Sequence, residues 1–192
     1  MRIESKEAEF EGILNAARLM AIAIRTAPKA NGIDSIETLI LSGEEKNSLA
    51  DKLEDLGKEK GGGWIKFYGR DAENLRNSDA VILVGIYGGR SPAPLMCGAC
   101  GMDCKQLLKS ERVTKDFTGP NCMMKILDLG VALGSAVKLA AELNVDNRIM
   151  YSVGVAAKKL GLMDTDVIIS IPVSATGKNI FFDRGREHPE KK

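Results

Sequence analysis

The chain predicts an α+β domain in which helices surround a mixed β-sheet and a four-cysteine loop is inserted. Two apolar runs, at residues 80–87 and 166–173, read as buried central strands. Two long segments with helical apolar spacing, 4–25 and 123–143, read as major helices. Between the first of those strands and the second of those helices lie all four cysteines.

Residues 4–25 place Phe10, Ile13, Leu14, Ala17, Leu19, Met20 and Ile24 on a broad apolar face. Pro28 and Gly32 end that helix and leave 26–32 as a loop. Residues 36–41 form a β-rich, partly alternating strand. Ser42 and Glu45 have the spacing of a capping box, which opens a polar, exposed helix to about Lys60. Gly61, Gly62 and Gly63 make a turn. Residues 64–68 read as a short edge segment and 71–76 as one or two helical turns. After the 80–87 strand, Gly88 to Pro94 is a turn leading into the cysteines. It fits neither phosphate-loop pattern.

The 123–143 helix carries a polar arc of Lys125, Asp128, Ser135, Lys138 and Glu142, with Gly130 and Gly134 permitting close backbone approach. Residues 144–150 form a turn with a short strand, and 151–160 a helix closed by Gly161. The organisation is one domain over 1–192 with an inserted cysteine segment at 95–122.

Composition narrows the function classes. The net charge is +1 with both signs interspersed, so nothing suggests a nucleic-acid partner. The acidic start lacks the apolar run of a signal peptide, and charges interrupt the most apolar stretch, so no membrane span is expected. A cytoplasmic protein follows, where clustered cysteines are metal ligands rather than disulfides. The single histidine, His188, lies in a charged tail and leaves no nucleophile–base pair. Asp71 and Glu73 read as a solvated helix start.

Cys97, Cys100, Cys104 and Cys122 have the spacing C-x2-C-x3-C-x17-C, the ligand count of one tetrahedral set. Three thiolates can wrap one face of a cubane and the distant fourth can close it. Gly98 and Gly101 let backbone amides approach the sulfurs. Zinc sites more often pair two C-x2-C knuckles, and the second is missing here. The [4Fe–4S] cluster is therefore favoured over zinc and over unligated thiols.

The Cys-Gly-x-Cys-Gly-x-x-Cys loop resembles the four-iron domains of corrinoid iron–sulfur proteins, which place the third ligand one residue later. The whole chain resembles more closely an uncharacterised ferredoxin domain-containing family (DUF2148). The resemblance rests on residues 25–30, Gly69-Arg-Asp71, the cysteine loop and residues 174–184. That family implies a cluster and no particular reaction.

Outside the loop the chain is similar to flavin-dependent nitroreductases. The motifs are Ala16-Ala-Arg-Leu19, Ala27-Pro-Lys-Ala-Asn31, Asp128-Leu-Gly-Val-Ala132 with Leu139-Ala-Ala141, and the helix and strand over 151–173. This resemblance implies a nitroreductase-like fold, a homodimer and FMN at its interface. It puts Lys29 and Asn31 near the isoalloxazine or ribityl chain, and Lys178 and Arg184 near the phosphate. The family's arginine-rich leading segment is missing, Lys29 replaces a serine, and no G-L-G-x-x-W segment appears around 144–150.

Two classes of function compete. One is a flavin oxidoreductase whose cluster passes electrons to or from FMN, with a redox partner protein. The other is a non-catalytic iron–sulfur carrier or zinc-stapled interaction domain on a body without flavin.

Overall fold

The computed structural model describes residues 2–182, so Arg184 and His188 lie outside the described residues. It is a three-layer sandwich built on strands β1 (Ile36–Ser42), β2 (Ala80–Ile86), β5 (Asp146–Asn147) and β6 (Val167–Ser174). Their order is β1-β2-β6-β5. Every pairing of this sheet in the described residues is antiparallel.

Side-chain alternation divides the core. Ala80, Ile82, Val84 and Ile86 of β2, with Ile171 and Val173 of β6, face α1 (Ser5–Thr26) and α5 (Met123–Glu142). Val81, Leu83 and Ile168 face α2 (Gly43–Lys60), α3 (Gly63–Asn77) and α6 (Tyr151–Lys159). β2 is buried along its whole length, as its unbroken apolar run requires. Gly154 allows α6 to lie on β6, since a Cβ there would stand 1.9 Å from the Ile168 carbonyl oxygen.

Several expectations are corrected. Residues 64–68 belong to α3 rather than to an edge segment, because Tyr68, Ala72 and Leu75 share the helical face packed on the α2 layer. α2 is half buried through Leu49, Ala50, Leu53 and Leu56, and Ser42 makes no side-chain cap bond. Within the polar arc expected on α5, Lys125 and Asp128 are buried, whereas Met123, Ile126, Leu127 and Val131 are exposed. The helix is therefore turned so that an ionic pair faces inward. Among the described residues, no atom beyond the helix's own backbone lies within 4 Å of a Cβ built at Gly130 or Gly134.

Two small elements occupy the inserted segment. α4 (Cys104–Lys109) is capped by Asp103, whose carboxylate accepts from the Gln106 amide while the Gln106 side chain accepts from the Asp103 amide. β3 (Val113–Thr114) and β4 (Thr118–Gly119) form a hairpin. Among the described residues no helix is long and apolar enough to cross a membrane.

Candidate metal centre

The cysteine segment leaves the sheet at the end of β2 and returns as α5. Its base is closed by main chain: the Cys122 amide donates to the Gly88 carbonyl at 2.9 Å, and the Tyr87 amide to Ser35 at 3.0 Å. Buried Asp166, just before β6, locks the two sides together. Its Oδ2 accepts from the Gly89 amide at 2.8 Å, and its Oδ1 lies 2.8 Å from Arg112 Nη2. That contact is close enough for an ion pair but is not aligned as a hydrogen bond. Arg112 also donates to the Pro120 carbonyl. Gly89 must be glycine in this arrangement, because a Cβ would fall 1.6 Å from the Arg112 guanidinium. The sequence signals this clasp only as ordinary charges.

Above the base, Ala93, Leu107 and Cys122 form a small buried cluster, flanked by Ala30, Cys100, Met102 and Met124. Cys122 is the N-cap of α5 and its side chain caps nothing. Cys104 opens α4, and its thiol donates to the Ala93 carbonyl at 3.4 Å. The Cys100 thiol donates to the Met102 carbonyl at 3.5 Å. Cys97 is exposed, on a turn where Met96, Gly98 and Gly101 have positive φ. Cys100, Cys104 and Cys122 thus border one apolar patch, and Cys97 stands outside it.

All four cysteines are free thiols. Among the described residues no three His, Cys, Asp or Glu side chains are arranged to hold a metal ion. The fit to an iron–sulfur cluster is one of donor chemistry and placement. Four soft donors come from one loop and two helix starts, in a shell of alanine, leucine and methionine. Coordination would require these thiols to draw together, Cys97 from an exposed turn in which Gly98 and Gly101 have positive φ.

The same patch touches the 26–33 loop through Ala30. That loop is pinned to α5 from below. The Ala30 amide donates to Asp128 Oδ1 at 2.8 Å, and Lys125 Nζ lies 3.1 Å from Asp128 Oδ2 and donates to the Ile33 carbonyl. Lys125 has no exposed surface. Neither residue is recognisable in the sequence as an anchor, since the groups it holds lie more than ninety positions away.

The expected flavin contacts fall differently. Lys29 turns back on α1, donating to the Ile24 and Arg25 carbonyls, and burial pushes its ammonium below the usual lysine value. Asn31 is exposed in a 3-10 turn with φ of 55°. Both lie at the cysteine end of the sheet, where Ile36, Ile86 and Val167 are in register. Lys178 follows the opposite end, where Ser42, Ala80 and Val173 are in register, so about 20 Å of strand separates them. Within one chain these candidates do not converge.

Residues 118–184 match a family model described as an uncharacterized protein containing a ferredoxin domain (DUF2148). That span includes Cys122 but not Cys97, Cys100 or Cys104. An uncharacterized protein of Archaeoglobus fulgidus is 45% identical over 185 residues, covering 96% of this chain and 98% of its own length. Among solved structures, a nitroreductase with bound FMN from Desulfitobacterium hafniense is similar at a TM-score of 0.54 and 15% identity. The match covers 85% of this chain and 78% of that one. Nitroreductase CinD of Lactococcus lactis, in complex with nicotinic acid, is similar at 0.56 and 13%, covering 86% and 79%. At such identities the likeness establishes the nitroreductase-like fold.

Proposed function

Because this chain belongs to the family of uncharacterized proteins containing a ferredoxin domain, we propose that it is a redox protein holding a [4Fe–4S] cluster through Cys97, Cys100, Cys104 and Cys122. The observation that carries this reading is the placement of Cys100, Cys104 and Cys122 along the small apolar cluster of Ala93 and Leu107. Bound there, a cluster would supply reversible one-electron storage. The thiol protons now on the Ala93 and Met102 carbonyls would leave when the sulfurs ligate. The positive end of α5 complements the negative charge of a thiolate at Cys122. The apolar shell excludes water from the sulfurs, which helps set the potential. Four free cysteines in this role suit a reducing, cytoplasmic setting.

In this reading FMN is the second cofactor and the protein a flavin-dependent oxidoreductase, with its substrate open. Ala30 brings the 26–33 loop against the cysteine patch, so a flavin beside Asn31 would neighbour the cluster. Lys178 can share that site only from a second copy, which makes the flavin reading a homodimer reading. The exposed Leu127 and Val131 of α5 and Leu19 and Ile22 of α1, beside the unobstructed Gly130 and Gly134, offer an apolar face for such a dimer. A second reading, an iron–sulfur carrier without flavin, is favoured by the commitment of Lys29 to the end of α1.

One experiment separates these readings. Protein purified anaerobically is denatured and its supernatant examined for flavin fluorescence, with the oligomeric state measured on the same sample. The oxidoreductase reading expects about one flavin per chain and a dimer, as one interface site per protomer requires. Absence of flavin with iron retained would leave the carrier reading standing.

A further inference from the structure

We propose that the outer face of the cysteine segment is a docking surface for a small acidic iron–sulfur carrier protein, which exchanges one electron at a time through the Cys97 edge. The inference rests on the cluster reading and names its partner.

Exposure and charge on this segment carry the argument. Residues 88–122 hold five basic and three acidic side chains. Two of the basic ones are already paired with acids outside the segment, exposed Arg90 with Asp164 and partly buried Arg112 with buried Asp166. Two of the acidic ones are engaged as well, Asp116 by Lys60 and Asp103 by its own helix cap. Lys105, Lys109 and Lys115 are left exposed with no side-chain hydrogen bond or ion pair among the described residues, against the single carboxylate of Glu111. Lys105, Leu108 and Lys109 lie at helical spacing on the outer side of α4, opposite buried Leu107.

Leu108 is 57% exposed, and Leu95, Met96 and Val113 are exposed to a similar degree. The Leu95 amide donates to the same Ala93 carbonyl that accepts from Cys104, so Leu95 adjoins the cysteine patch, and Leu108 follows its buried Leu107. An apolar centre beside an exposed cysteine, rimmed by unpaired lysines, suits a transient partner of opposite charge. Electron transfer then needs only close approach. One electron leaves the reduced centre of the carrier and enters this chain's cluster, with no bond made or broken.

The test follows reduction of the anaerobic holoprotein by a chemically reduced, acidic plant-type [2Fe–2S] ferredoxin. Reduced methyl viologen, a small cation that needs no docking face, serves in parallel. The ferredoxin rate should fall steeply with added salt. A K105E/K109E variant should lose about tenfold or more of that rate, with K105Q/K109Q between, and neither should change the viologen rate. Equal loss with both donors, or a ferredoxin rate insensitive to salt and to the lysines, overturns the proposal. So does binding of heparin as tight as that of the ferredoxin. Calorimetric titration with oxidised ferredoxin tests docking separately from the cluster. Salt- and lysine-dependent binding by a chain without iron retains the docking face and removes the cluster reading alone.

Discussion

Cys122→Ser is expected to strip most of the bound iron while leaving the fold intact. Cys122 is the ligand with the least freedom to be replaced. It is buried, its amide is held by Gly88, and its carbonyl accepts the first bond of α5 from Ile126. It is also the single cysteine outside the 95–104 stretch, so no neighbouring thiol can slide into its place. Serine keeps the size and is a favourable helix N-cap, so the metal-free chain should change in stability by no more than about 1 kcal/mol. Iron per chain and circular dichroism on the same anaerobic sample check both halves. A folded variant with a full iron complement would remove Cys122 from the ligand set.

Asp128→Ala should produce the largest stability loss of any single change near the site. Its buried carboxylate holds both the Ala30 amide and the Lys125 ammonium. Removing it leaves a buried charge whose remaining partner is the Ile33 carbonyl. Breaking such a pair costs about 3–5 kcal/mol. The 26–33 loop, freed from α5, should also loosen its Ala30 contact with the cysteine patch. Equilibrium denaturation measures the loss. Replacing both partners, as Lys125→Met with Asp128→Leu, should recover much of it, because no isolated charge then remains. A single variant within about 1 kcal/mol of the parent would show that the pair does not anchor the loop.

Those two predictions mark where the sequence was legible and where it was not. The strands β2 and β6 could be read because burial on both faces leaves an unbroken apolar run. The grouping of the four cysteines could be read because all of them fall between β2 and α5. α5 was legible as a helix but not in its orientation. On a helical wheel Lys125 and Asp128 look like a solvated arc, and only the distant Ala30 and Ile33 make burial affordable. The 64–68 stretch is rich in aromatic residues suited to a strand, and the packing of Tyr68, Ala72 and Leu75 against the α2 layer decides for a helix.

The flavin candidates show a different limit. Likeness of motif groups Lys29, Asn31, Lys178 and Arg184, but the strand register sets Lys178 at the far end of the sheet from Lys29 and Asn31. A single chain's sequence carries no sign of that separation. Arg112 and Asp166 are inconspicuous in the sequence for a related reason. An arginine in a loop and an aspartate before a strand are ordinary until Gly89 is found between them.

The central claim is that the cysteine segment holds an iron–sulfur cluster, and a cofactor inventory on anaerobically purified protein addresses it most directly. Iron, acid-labile sulfide and zinc are measured per chain on one sample. The account predicts iron and sulfide in equal amounts, at about four each per chain, with zinc far below one. Zinc near one per chain with no sulfide would contradict it.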